Sequence, residues 1–122
     1  MPQDATVVDI ARAFTEAWTR GNIDAAASFV AEDVVFDGPL GHVDGKEAYM
    51  EGLKGLVRML GVTGVQVISA YGDTTEALIM YDLLTERFGS LTCAKLLTMQ
   101  DGKIRRDRLT FDSHRIRQPQ GS

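Results

Sequence analysis

One hundred and twenty-two residues, 44% of them apolar, fit one globular domain and leave no room for a second. Thirteen Lys and Arg against seventeen Asp and Glu give a net charge of −4, which argues against bulk attraction to nucleic acid or an anionic membrane. One cysteine, Cys93, cannot form an intrachain disulfide, no apolar run approaches a membrane span, and the N-terminus carries Asp4 and Asp9 without an apolar leader core. A soluble, cytoplasmic chain is therefore expected.

In chain order, Val7, Ile10, Ala11, Phe14, Ala17 and Trp18 recur at the spacing of an amphipathic helix. Thr6 with Asp9 is an imperfect capping box, and Gly21 is a natural stop. Asn22 caps a short second helix. The β-branched run over residues 34–37 reads as a strand, broken by Gly38-Pro39-Leu40-Gly41. Asp44 with Glu47 predicts the next helix start and Gly61 its end. Its interior glycines, Gly52 and Gly55, cost about 1 kcal/mol each against alanine. They reflect either close approach to a sheet or neutral drift.

From Thr63 the pattern turns to β. Segments over residues 63–72, 75–86, 91–100 and 103–113 are separated by the turn dipeptides Gly72-Asp73, Phe88-Gly89 and Asp101-Gly102. Such short loops demand antiparallel neighbours, so the fold class is α+β, helices covering one face of a curved antiparallel sheet. The domain is expected to span residues 1–117, with a frayed tail over 118–122.

A two-residue loop at Phe88-Gly89 sets Asp82 opposite Lys95, and a three-residue loop at Gln100-Asp101-Gly102 sets Lys95 opposite Asp107. Alternation then places Leu78, Met80, Leu84, Leu91, Cys93, Leu97, Met99, Leu109 and Phe111 on the same covered face. The row Asp82–Lys95–Asp107 is either a structural ion-pair ladder or a polar cluster in an apolar pocket, with one carboxylate poised as acid or base. A two-residue turn at Asp101-Gly102 would instead put Arg108 beside Lys95. The opposite face, with Ile79, Tyr81, Leu83, Ala94, Leu96 and Ile104, is itself partly apolar, and a homodimer through it is the economical way to cover it.

Three stretches converge on one family. Residues 14–25 (FTEAWTRGNIDA) look like its first helix and the junction after it, residues 31–39 (AEDVVFDGP) resemble its first strand, and Asp101-Gly102-Lys103-Ile104 followed by Phe111-Asp112 resembles its last hairpin. Together they resemble the nuclear-transport-factor-2-like superfamily, of the SnoaL-like and ketosteroid-isomerase-like kind. The resemblance implies a cone: a curved sheet wrapping helices around an apolar cavity, dimeric through its outer face. It also implies a cofactor-free chain, either binding a polyketide-, terpenoid- or steroid-like molecule or acting as a cyclase, isomerase, dehydratase or epoxide hydrolase. The catalytic sets mostly fail to transfer. Phe14 stands where the isomerases have tyrosine, Gly38 where they have the base, and Lys95 where they have a protonated aspartic acid. Leu109 occupies the place of the hydrolase and cyclase aspartate. Asp82 matches the approximate position of a second hydrolase carboxylate.

The expected site is therefore Asp82, Lys95 and Asp107, with Phe14, Trp18, Tyr49, Met80, Cys93, Leu97, Leu109, Phe111 and the loop residue His42 around the pocket. His42 is either a surface histidine or a ligand contact, and His114, after the last strand, faces solvent or a dimer edge. Two histidines without Cys or Glu at ligand spacing give no metal site. The basic C-terminal cluster lacks aromatic interleaving and contains Asp107 and Asp112, which reads as a solvated or dimer-bridging strand rather than a nucleic-acid groove.

Overall fold

Thr6 opens the first helix as its sequence predicts: its hydroxyl accepts from the Asp9 amide at 3.1 Å, and the Asp9 carboxylate accepts from the Thr6 amide at 3.4 Å. The computed structural model describes residues 6–39 and 41–111. Along the chain run α1 (Val7–Thr19), α2 (Ile23–Ala27), β1 (Val30–Gly38), β2 (Gly41–Asp44), α3 (Lys46–Leu60), β3 (Val62–Gly72), β4 (Glu76–Thr85), β5 (Gly89–Gln100) and β6 (Lys103–Phe111). The expected tail and His114 lie outside the described residues, as do Arg115 and Arg117 of the basic C-terminal cluster.

The strands form one curved, unclosed six-stranded sheet in the order β2-β1-β6-β5-β4-β3. Pairs are antiparallel except β1 with β6, which run parallel, so the sheet is mixed rather than wholly antiparallel. β1 starts four residues before the expected strand, because Val30 pairs with Ile104 and the Ile104 amide donates to the Phe29 carbonyl at 2.7 Å. The segment expected as a loop around His42 is the short edge strand β2. Asp44 therefore belongs to β2 and does not cap α3, whose N-cap is Gly45 at φ 94°. At the far end of α3, Gly61 takes the left-handed φ of 67° that ends a helix cleanly. A Cβ on Gly52 or Gly55 would meet nothing within 4 Å, so neither glycine serves a close approach.

Two register differences decide what faces inward. The β4–β5 connection is Glu86-Arg87-Phe88, with Thr85 opposite Gly89. The Thr85 hydroxyl donates to the Gly89 carbonyl at 2.7 Å and accepts from the Phe88 amide at 3.0 Å. The amides of Glu86 and Arg87 donate to the carbonyls of Gly61 and Leu60 at the end of α3. The helix terminus thus claims the loop and moves the register by an odd number of residues, which exchanges the two faces of β4. Ala77, Ile79, Tyr81 and Leu83 point into the core, while Leu78, Met80 and Leu84 are exposed.

The last hairpin is a two-residue turn, Gln100 opposite Lys103, with Asp101 and Gly102 at φ 54° and 75° as a type I′ geometry requires. Taken alone, that turn would bring Arg108 inward. A bulge restores the alternation: Met99 pairs with Ile104 but Thr98 with Arg106, leaving Arg105 as the extra residue. Asp107 consequently faces the core opposite Leu97, and Lys95 sits opposite Leu109 on the same face. The inner face is covered by α1 through Ile10, Phe14 and Trp18 and by α3 through Tyr49, Leu53 and Leu60.

Candidate functional site

The helices do not fill the concave face completely. A cavity of about 290 Å³ remains between α1, α3 and the sheet, with its mouth at Pro39 and β2. Of the residues expected to surround a pocket, Trp18, Tyr49, Cys93, Leu109, Phe111 and His42 line it, as does Lys95. Phe14 and Leu97 are fully buried in the core beside it. Met80 and Asp82, expected on the inner face, lie on the outer face instead. Met80 is 43% exposed, and the Asp82 carboxylate accepts from the Thr92 hydroxyl at 2.6 Å. The odd shift at the β4–β5 loop is the reason, and it puts Tyr81 and Leu83 on the cavity wall instead.

Lys95 and Asp107 are 1% and 0% exposed, and an unpaired charge at that depth would be prohibitively costly. The Lys95 ammonium donates to Asp107 Oδ2 at 2.8 Å. The Tyr49 phenol, 58 residues distant in sequence, donates to the same oxygen at 2.5 Å. Burial first, and then the neighbouring Asp107 charge, hold the Tyr49 hydroxyl well above the usual tyrosine range, so it remains a protonated donor. Ring faces flank the ammonium, with Phe14 at 5.5 Å and Trp18 at 5.2 Å from Nζ. Phe14 stacks on Tyr49 with centroids 6.3 Å apart, and Phe36 tilts against it at 5.9 Å. Lys95 and Tyr49 reach the cavity wall, and Asp107 ties both together behind it.

Other polar groups on this wall are weakly reactive. Burial pushes the Cys93 thiol up to about 11 and the Tyr81 hydroxyl well above its ordinary value, so both stay protonated near neutrality. Two buried polar atoms lack a hydrogen-bond partner among the described residues, Trp18 Nε1 and Asp107 Oδ1. Among the described residues no cluster of His, Cys, Asp and Glu could hold a metal ion.

At the mouth, His42 Nδ1 lies 2.7 Å from Asp37 Oδ1 and Nε2 lies 3.0 Å from Asp44 Oδ1. Carboxylate oxygens only accept, so this arrangement takes a doubly protonated ring. The hydrogen bond to Asp37 first, then that to Asp44, raises the ring above its ordinary 6.5. A raised folded value means that the stabilisation is complete below pH 6.5 and disappears as pH rises through that higher value. Asp37, lowered mainly by His42, contributes above its ordinary 3.8 and loses its contribution as pH falls through its lowered value. The His42 ring should accordingly titrate above an ordinary histidine by NMR, and Asp37→Asn should move that midpoint down.

The geometry has relatives. The SnoaL-like domain family model matches residues 11–107. A Kribbella flavida protein of solved structure is 37% identical, with TM-score 0.84 over 92% of this chain and 90% of that one. A Catenulispora acidiphila protein with a ketosteroid-isomerase-like fold, solved with trimethylamine, is 21% identical at TM-score 0.71, covering 85% of each chain. A Cytophaga hutchinsonii protein of the nuclear-transport-factor-2-like kind is 22% identical at TM-score 0.80, over 95% of this chain and 98% of that one. No curated protein matches the chain at a significant level.

Proposed function

This chain belongs to the SnoaL-like domain family, and we propose that it binds a small, mostly apolar molecule that places a hydrogen-bond acceptor against Lys95 and Tyr49. The observation that carries the reading is the buried Tyr49–Asp107–Lys95 network on the wall of an otherwise greasy 290 Å³ cavity. At interior packing density such a space takes about a dozen non-hydrogen atoms, the size of a monoterpenoid or a one- to two-ring polyketide fragment. A four-ring steroid would have to protrude through the mouth.

A second reading, a cofactor-free enzyme using acid/base chemistry, is supported by two donors converging on one carboxylate oxygen. In it Asp107 takes or gives the proton and Lys95 stabilises developing negative charge. Asp82, on the other face, has no part in it.

Trp18 is the chain's sole tryptophan and lines the cavity, so its fluorescence reports occupancy. Cuminaldehyde and the hydrocarbon p-cymene, alike in shape, should both perturb it. Lys95→Met should weaken the aldehyde about tenfold or more, the worth of one charge-assisted hydrogen bond, and leave the hydrocarbon unchanged. Silence of Trp18 towards both at millimolar concentration would overturn the binding reading. Turnover of an apolar substrate that is lost in Asp107→Asn would favour the enzyme.

A second copy of the chain on the outer sheet face belongs to this proposal. Leu78, Met80 and Leu84 expose apolar surface along one strand there, and sedimentation equilibrium is the check. A cytoplasmic setting fits the single buried, unpaired Cys93.

A further inference from the structure

We propose that Lys95 is a nucleophile that captures an apolar aldehyde or ketone as a reversible imine inside the cavity. This rests on the cavity being a ligand site and goes further by fixing the ligand's chemical class and the bond it makes. Of the chain's four lysines, Lys46 and Lys54 reach solvent beside Glu32 and Glu51, and Lys103 is exposed against the Ser28 carbonyl. Lys95 alone is buried, faces an apolar cavity and carries its own proton acceptor at 2.8 Å. A lysine desolvated in an apolar pocket is a setting in which Schiff-base chemistry becomes available.

The step balances with the groups present. One proton passes from Lys95 Nζ to Asp107 Oδ2 and frees the nitrogen lone pair. That pair attacks the carbonyl carbon, forming the C–N bond while the C=O π pair moves to oxygen. A nitrogen proton moves to that oxygen and gives the carbinolamine. Asp107 then returns its proton to the hydroxyl, the C–O bond breaks, and oxygen departs as water. The product is a protonated imine beside a regenerated carboxylate. Before and after, one cation faces one anion, so the buried site never holds an uncompensated charge at either end of the step. Nothing is oxidised or reduced. The Tyr49 phenol, held protonated and hydrogen-bonded to the same oxygen, positions Asp107 throughout.

The test uses the whole chain, cuminaldehyde and cyanoborohydride, which reduces only the imine to a stable amine, followed by intact mass and peptide mapping. The expected result is a single adduct on Lys95, formed about tenfold or more faster than on Lys46, Lys54 or Lys103. An excess of p-cymene should slow it about tenfold by occupying the same space. Lys95→Met should remove that adduct, and mapping the unaltered chain settles the matter if that variant does not fold. An adduct on Lys95 no faster than on the exposed lysines, or indifferent to p-cymene, overturns the proposal. If cuminaldehyde changes Trp18 emission yet Lys95 is not trapped, the imine falls while the binding site stands. If neither occurs, both fall.

Discussion

Asp107→Val should cost about 3–5 kcal/mol of folding stability, the penalty for removing one partner of a fully buried ion pair. It strands the Lys95 ammonium, 1% exposed, and orphans the Tyr49 phenol, 2% exposed, since both donate to Asp107 Oδ2. The triple variant Tyr49→Phe, Lys95→Met, Asp107→Val should recover most of that loss, ending within about 1–2 kcal/mol of the parent or above it. A buried pair is costly to break and yet no better than well-packed hydrocarbon, because desolvation of both charges offsets their attraction. Phe14, Trp18, Phe36 and Leu97 already provide an apolar setting for the replacements. Urea unfolding of the parent, the single and the triple variant measures both numbers. A triple variant as unstable as the single would mean that the network holds the fold together. Recovery would mean that stability is not what these three residues supply, and would leave the cavity as their purpose.

The sequence makes local structure legible and long-range register only in part. The Thr6 capping box, the Asn22 cap and the Gly61 stop depend on neighbours within four residues, and each is where the pattern puts it. The inward helical faces of Trp18 and Tyr49 are readable for the same reason, whereas the family and its curved-sheet fold are legible only through the order of three stretches spread along the chain. Asp82 lies on the outer face because hydrogen bonds from Glu86 and Arg87 to the end of α3 set the β4–β5 loop, and no dipeptide near residue 88 announces them. Lys95 and Asp107 share a face through two departures that add. The turn is one residue shorter than expected and Arg105 bulges, so the register slips by two. Asp107 therefore lies opposite Leu97, beside Lys95 rather than directly across from it. The helical pattern turns Tyr49 towards the pocket, but its bond to Asp107 joins two distant segments and has no local signature. The parallel union of β1 with β6 is similarly non-local, and it is what carries the β1–β2 hairpin, with His42, to the cavity mouth.

Trp18 should separate packing from polarity on the cavity wall. Trp18→Ala should cost about 3–5 kcal/mol, the usual loss when a large buried aromatic is truncated. Trp18→Phe should fall within about 1 kcal/mol of the parent, much less than its lost ring volume alone would suggest. The indole Nε1 is buried without a hydrogen-bond partner among the described residues, a state that costs about 1–3 kcal/mol and that phenylalanine does not incur. Phenylalanine also keeps a ring face for the Lys95 ammonium, which lies 5.2 Å from the indole. Alanine forfeits both the packing and the ring face. Since either change removes the only intrinsic fluorophore of its kind, unfolding is followed by far-ultraviolet circular dichroism. If phenylalanine costs as much as alanine, Nε1 is hydrogen-bonded in solution to something held in the cavity, and that occupant becomes part of the folded state.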